Sequence, residues 1–475
     1  MGTAVAAMAM MIVGSQAADA TVTAVRPAVT DWVAAQEIPG TAALNQQYAG
    51  IQHALSCAKP GDCTVGGYYT DANGHDQAFA DTETNGTWGT AAELPGLAAL
   101  NVADAQMFTV SCGTPGNCSA GGDYTDSLRH LQSFVARERA GTWLAAKEVP
   151  GTATLNAGGT SELRSVSCPA AAACSGGGGY IDSSGDEQAY VVGETGGTWG
   201  RAQKVTGLAA LNTGGGATIL SVSCASAGNC AAGGYYATSS GDQEPFVVTQ
   251  TGGTWGKAQE VPGIGTLNYQ QAPLSGLSCG SAGNCAAVGD YIDSAGNIQA
   301  WLATEVNGTW GDAEEIPGTA ALNADGFADA DAVSCGSAGN CSAGGWYTGA
   351  QIQGFVVTET NGVWAAAAPV PGLTALNTSG NAQLWTMSCP KAGDCMAGGY
   401  YWNDSQGGQE AFVATQKNGT WGKAVEVPGT EKLNNNGGGV AEMVSCALPN
   451  QCGVAGVYGE NPQAGYLQVF VASHT

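Results

Sequence analysis

The sequence predicts an all-β protein, an eight-bladed β-propeller of four-stranded antiparallel blades whose ring is closed by its N-terminal strand. Three observations carry that reading. The sixteen cysteines form eight Cys-x5-Cys pairs, and the pairs recur about every 56 residues. They are Cys57/Cys63, Cys112/Cys118, Cys168/Cys174, Cys224/Cys230, Cys279/Cys285, Cys335/Cys341, Cys389/Cys395 and Cys446/Cys452. Within each period four short β-type runs alternate with Gly, Asn and Asp turns, and no amphipathic helical period of useful length appears. Last, a lone Trp-bearing run at Trp32 precedes the first unit, while the final unit stops at Phe470 to Ser473 without one.

The first unit shows the elements in order. Ile51 to Cys57 reads as one strand and Cys63 to Asp71 as the next; Gln77 to Thr84 is the third and Thr87 onward the fourth. Asn85-Gly86, like Asn307-Gly308 and Asn418-Gly419, is a hairpin signal, because a type I′ turn needs positive φ at both central positions. So short a turn sets the Trp88 strand beside the Phe79 strand. The predicted order within a blade is therefore the Ser-Cys strand, the Gly-Tyr strand, the Phe strand and the Trp strand. The Pro-Gly-x-x-x-Leu-Asn segments, such as Pro39 to Asn45, cross to the next unit. Trp32 then supplies the outer strand of the eighth blade and removes an exposed edge; an open solenoid would carry polar caps instead.

Trp (32, 88, 143, 199, 255, 310, 364, 421) and Tyr (69, 124, 180, 236, 291, 347, 401, 458) recur in register, as does a Gly four residues after each second Cys. These are expected to pack one blade on the next, with Gly permitting close backbone approach.

Composition restricts the partners. The formal net charge is −25 with only 14 Lys and Arg, so neither a nucleic-acid backbone nor an anionic lipid surface is a suitable ligand. Residues 1–20 read as the remnant of a signal peptide, apolar and ending in small residues at Ala17, Ala18 and Ala20. Residues 21–30 read as a linker, and 31–475 as a single propeller. No run reaches the roughly 18–20 apolar residues that span a bilayer. Paired thiols in such a chain predict one disulfide per blade and a secreted, extracellular protein. The bridges are expected to clamp hairpin tips, leaving the aromatic layer to hold the ring. Two thiolates per unit with no histidine in register make a poor zinc site, and no metal site is predicted.

No cofactor is predicted. Calcium is the one ion whose oxygen ligands the sequence offers, at the turns opened by Asp71, Asp182 and Asp293 and at Asp325, Asp329 and Asp331. Asp, Asn and Gly are also what a tight turn selects. His53, His75, His130 and His474 share no register and have no nucleophile at a suitable spacing, so no catalytic residue is assigned and the chain is read as non-enzymatic.

The position five after the second Cys varies between units: Tyr68, Asp123, Gly179, Tyr235, Asp290, Trp346, Tyr400 and Val457. Trp346, Trp385, Tyr400 and Trp402 gather off-register aromatics in the sixth and seventh units. Flat aromatics of this kind stack on pyranose rings while amides bond the hydroxyls, so Trp346, Tyr400, Trp402, Trp385, Tyr68, Tyr235, Asn323 and Asn377 form the candidate ligand-binding set. The competing readings are enlarged core aromatics and, for the Leu-Asn pairs containing Asn323 and Asn377, satisfaction of crossover backbone. Strand alternation places the crossovers and the Tyr-Thr-Asp turns on one face, with the longer and more polar loops where function concentrates.

The signature Ser-Cys-x5-Cys-x-Ala-Gly-Gly-x-Tyr, seen from Ser334 to Tyr347, resembles that of secreted bacterial β-propeller repeat proteins of actinobacterial type. The likeness covers nearly all of the mature chain and is specific for architecture; propellers serve as lectins, enzymes and docking platforms alike. Thr82 to Trp88 is also similar to the Asp-box of sialidase propellers, without its acidic residue. Six arginines (Arg26, Arg129, Arg137, Arg139, Arg164, Arg201), none after residue 201, cannot converge as a sialidase site requires. The leading expectation is a lectin-like protein whose partner is a glycan or cell-surface polysaccharide. The alternative is a protein-docking platform or adhesin subunit, and a polysaccharide hydrolase or lyase follows behind.

Overall fold

The computed structural model describes residues 32–51, 54–268, 270–403, 408–434, 437–461 and 466–474. The signal segment and linker predicted over 1–30, and His53, lie outside the described residues. No helix among the described residues is long and apolar enough to cross a membrane.

Eight antiparallel sheets form the blades of a ring. In the second blade the inner strand is Ala105–Thr114, followed outward by Asn117–Thr125 and Leu131–Arg139. The outer position is shared by two short pieces, Thr142–Trp143 and Lys147–Glu148, both paired to the third strand. The predicted strand order holds in every blade. Asn85 and Gly86 take φ of 50° and 80°, and Asn307 and Gly308 take 51° and 81°, as the two-residue turn demands. In the eighth blade Trp32–Glu37 is the outer strand, paired with Tyr466–His474, so the first strand of the chain closes the ring.

Each crossover folds into a single helical turn, for example Thr152–Leu155, entered through Gly151 at φ 93°. The Asn that ends it bolts the turn down. Asn156 Nδ2 donates to Leu131 O at 3.1 Å, and Asn212 Nδ2 to Glu187 O at 2.9 Å.

All eight predicted disulfides are formed, each within its own blade, and no cysteine is free. Cys57 bonds Cys63, Cys112 bonds Cys118, Cys168 bonds Cys174 and Cys224 bonds Cys230. Cys279 bonds Cys285, Cys335 bonds Cys341, Cys389 bonds Cys395 and Cys446 bonds Cys452. Their expected role as clamps of hairpin tips needs correction, because the second Cys of each pair is buried, Cys118, Cys285, Cys341 and Cys395 among them. Strand pairing turns these sulfurs into the interface with the preceding blade instead of out to solvent. Cys118 Sγ lies 3.3 Å from Thr64 Oγ1 and Cys395 Sγ 3.6 Å from Ser342 Oγ, each across a blade boundary. Cys285 packs in one apolar cluster with Ala231 and Val247 of the preceding blade. The bridges therefore help hold the ring as well as the hairpins.

The Ser before each first Cys has a separate task. Its hydroxyl accepts the backbone N–H of the next blade's Cys: Ser56 from Cys112, Ser111 from Cys168, Ser167 from Cys224, Ser223 from Cys279, at 2.9–3.0 Å. Ser278, Ser334, Ser388 and Ser445 repeat it with Cys335, Cys389, Cys446 and Cys57, which completes the circle.

The most deeply buried layer is the third-strand aromatic. Phe79, Phe134, Tyr190, Phe246, Trp301, Phe355, Phe412 and Phe470 are all 0% exposed. The registered Tyr residues are also buried, and several hydroxyls donate to an outer-strand carboxylate, as Tyr236 does to Glu260 at 2.7 Å and Tyr458 to Glu37 at 3.0 Å. The registered Trp residues sit nearer the surface and reach back to the preceding blade, Trp364 Nε1 donating to Thr304 Oγ1 at 3.3 Å. The registered Gly corrects one expectation. A Cβ at Gly122 would lie 1.9 Å from Gln106 O and one at Gly456 1.9 Å from Val440 O, so the close approach is to the inner strand of the same blade. It is not made between blades.

Candidate functional site

That close approach has a cause. Every inner strand whose pairing is described across this point carries a β-bulge, which shifts the register by one residue. The extra residues are Phe108, Arg164, Leu220, Ser275, Asp331, Trp385 and Glu442, each four before its first Cys. The flanking strand is repetitive, yet these seven are all different. His53 holds the same sequence position in the first unit.

A central cavity of about 490 Å³ is lined by the inner strands of all eight blades, and six of the seven bulge residues line it. Met443, next to Glu442, lines it as well. The bulges fall in the first half of each inner strand, just after the crossover, so they open toward the crossover face. The disulfides lie at the far end of the same strands. None of the sixteen cysteines lines the cavity. The position five after the second Cys lies on the neighbouring strand at the crossover end. Gln106 pairs with Asp123, Asp329 with Trp346, and Gln383 with Tyr400. The asymmetric residues of both strands thus share one region, the mouth of the channel.

Aromatic rings meet there in pairs. Trp346 stacks on Phe327 at 4.3 Å, and Trp385 meets Tyr400 edge-on at 5.1 Å. Tyr68 stacks on Tyr48 at 5.9 Å. Trp385 is 36% exposed, with Nε1 donating to Gln383 Oε1 at 2.9 Å, whereas Tyr400 is buried and its hydroxyl reaches Asn381 Oδ1 at 3.3 Å. Tyr235 is hydrogen-bonded to Glu187. Trp402 is 40% exposed opposite Gln409, outside these ring pairs.

Asn323 and Asn377 are buried in their crossovers. Asn323 Nδ2 donates to Ile298 O at 3.3 Å and to Gln299 Oε1 at 2.9 Å, and its Oδ1 accepts from Phe327 N. Asn377 Nδ2 donates to Ile352 O at 3.1 Å, and its Oδ1 accepts from Asn381 N at 2.8 Å. Both amides are occupied by the fold.

Carboxyl groups surround the mouth. Burial, then the charge of Glu162, pushes Asp123 up to about 8 against the counter-pull of Arg164. Burial raises Glu442 to about 8. Asp290, Asp329 and Asp331 are raised by burial, and in Asp290 and Asp331 also by the neighbouring carboxylates. Glu442 Oε2, Asp329 Oδ1 and Asp331 Oδ2 are buried without a hydrogen-bond donor. Arg164 is the one basic residue lining the cavity among the described residues; it pairs with Glu162 and lies 5.1 Å over the ring of Phe108.

The Asp-rich turns close on themselves: Asp71 Oδ1 accepts from Asn73 N at 2.7 Å and from His75 N at 3.0 Å, and Asp293 Oδ1 from Ala295 N and Asn297 N at 2.8 and 2.9 Å. Asp325 is exposed in its crossover, apart from the bulge residue Asp331. Among the described residues the one group of three His, Cys, Asp or Glu ligand atoms within 4.8 Å is Cys168, Cys174 and Glu194, whose sulfurs form a disulfide.

The bulge ring has a sequence counterpart that no single unit reveals. It is visible once the eight units are aligned on their first Cys, because position four before it is the one that never repeats.

No family model matches the chain, and no curated protein does. Among solved structures it is similar to a protein of unknown function from Dyadobacter fermentans, at 10% identity over 94% of this chain and 100% of that one, TM-score 0.41. It is similar to the acylaminoacyl peptidase of Pyrococcus horikoshii at 8% identity, covering 89% of this chain and 59% of that one, TM-score 0.43. The α-L-arabinofuranosidase Arb93A of Fusarium graminearum matches at 12% identity over 63% of this chain and 89% of that one, TM-score 0.33. At these values the likenesses assign no activity.

Proposed function

We propose that this is a secreted, extracellular lectin-like propeller that binds a glycan at the crossover-face mouth of its channel and does not turn it over. The observation that carries the reading is convergence. Eight blades share their cysteines, registered Tyr and buried third-strand aromatic position, while the bulge residue differs in every described blade and six of the seven line one cavity. A merely structural ring has no need of a channel-lining position that differs in every blade. Exposed faces such as Trp385 suit a pyranose ring, and the surrounding carboxyls and amides suit its hydroxyls. Eight disulfides accord with an oxidising, extracellular compartment.

A glycan array run with the wild type and Trp385→Ala tests it. Specific sugar hits that weaken about fivefold to tenfold in the variant support the reading, since one stacking face contributes on the order of 1 kcal/mol. A silent array accompanied by a protein partner in pull-downs would replace it with a docking platform. New reducing ends during incubation with the bound sugar would make the protein an enzyme.

A further inference from the structure

The charge of the mouth narrows the ligand. Asp331, Trp385 and Glu442 hold the same bulge position in three consecutive blades, so an indole is flanked by a carboxyl on either side. Asp331 lines the cavity, and its Oδ2 atom is buried without a donor among the described residues. Glu442 Oε2 and Asp329 Oδ1 are likewise buried without a donor, though neither residue is in the cavity lining. Buried acceptors left unpaired are costly; they occur elsewhere in the ring too, at Glu359 and Glu410, and Asp331 differs in lining the cavity beside Trp385, where a donor can arrive from outside. Arg164 does not serve, being in the third blade and already held by Glu162 and Phe108.

The missing donor has a definable chemistry. Neutral hydroxyls donate one hydrogen each and bring no charge to a site whose parent chain has a formal charge of −25. A primary ammonium donates three, favours the ionised form of carboxyls that burial otherwise keeps protonated, and is favoured over the face of an indole. A divalent cation is a poorer match, because among the described residues the oxygens of Asp290, Asp329 and Asp331 do not gather within 4.8 Å as a ligand set.

Building on the glycan reading, we propose that the sugar bound here carries free primary amines: a glucosamine-type oligosaccharide, stacked on Trp385 with its ammonium groups donating to Asp331 and Glu442.

Calorimetric titration with three oligosaccharides of equal length tests this: glucosamine with free amines, its fully N-acetylated counterpart, and the glucose oligomer, with oligolysine as a fourth probe. The free-amine oligomer is expected to bind at least tenfold more tightly than the other two sugars. Asp331→Asn and Glu442→Gln should each remove about tenfold of that preference, while Glu314→Gln, an exposed acid elsewhere, leaves it unchanged. Equal or tighter binding of the acetylated or neutral oligomer, or a preference that survives both substitutions, overturns the amine assignment and leaves the glycan reading standing. If no sugar binds, with or without binding of oligolysine, the glycan reading itself fails.

Discussion

Ser445, in the last blade, accepts the backbone N–H of Cys57, in the first, at 2.9 Å. It is the same bond that joins every other neighbouring pair of blades. The ring is therefore closed twice, by this hydrogen bond at the channel side and by Trp32–Glu37 at the rim. Because the donor belongs to a disulfide-bonded Cys, the covalent clamp of one blade fixes the group that its neighbour holds.

Removing one hydroxyl should be felt across a blade interface. Ser223→Ala leaves the Cys279 amide, now bonded at 3.0 Å, without its acceptor. The expected loss is about 1–3 kcal/mol in denaturant unfolding. An unchanged midpoint would mean that the amide finds water and that the serine circle contributes little.

At the rim, Ile38 follows the closing strand and is 0% exposed. Ile38→Ala should cost about 2–5 kcal/mol, and deleting residues 32–38 should uncover the Tyr466–His474 edge and produce oligomers on size exclusion. A truncated protein that stays monomeric with the wild-type melting temperature would show that another segment covers this edge.

Two aromatic classes should separate cleanly. Phe412 is 0% exposed and Phe412→Ala should lower stability by about 3–5 kcal/mol, with ligand affinity per folded molecule preserved. Trp385, at 36% exposure, should do the reverse, weakening binding while the melting temperature barely moves. Exchanged outcomes would place the binding surface in the blade interior.

Stability should depend on pH in an unusual direction. Burial raises Glu83, Glu244 and Glu410 to about 7, with Asp62 and Asp81 adding to the rise of Glu83. Unfolded carboxyls titrate at about 3.9–4.3, so the folded chain holds extra protons between there and neutrality. That contribution is complete below about pH 4 and is lost as the pH rises through 7. Acting the other way, burial would raise Asp71, but the His75 and Asn73 amides outweigh it and hold its carboxyl low. In Asp394, the Asn418 amide and Lys391 overcome burial likewise. These contributions vanish in stronger acid. The melting temperature should therefore rise by several degrees from pH 8 to pH 5 and fall again below about pH 3. Glu83→Gln should flatten the upper limb, and a curve that climbs from pH 5 to 8 would refute the burial account.

Much of the fold was legible because its determinants are periodic. The Cys-x5-Cys spacing, the Asn85-Gly86 turn and the unmatched Trp32 each constrain the topology locally, and the strand order and closure follow from them. Spacing alone pairs Cys112 with Cys118, but it does not say that the Cys118 sulfur faces Thr64 of another blade. The site was harder to read. Asn323 repeats because each crossover needs its amide, so repetition marked structure there. Asp331 and Trp385 gave no local signal, because a bulge does not break the hydrophobic pattern of a short strand. Their shared direction emerges only when the inner strands stand side by side around the channel. Sequence alone places the tight Gly122 contact against a neighbouring blade for the same reason: a carbonyl displaced by a bulge has no signature in sequence.

The bulge also separates inheritance from invention. A residue squeezed out of the ladder is released from pairing register, so its replacement leaves the cross-strand partners on either side in place. Seven such positions among the described residues, each on its own inner strand, behave as independent letters written on a fixed frame, and changes at well-separated letters should add nearly independently. Duplicating a blade copies the frame, and a single codon then resets what that blade says to the ligand. A new specificity is thus within reach of a few substitutions that never touch the Ser-Cys circle or the buried aromatic layer.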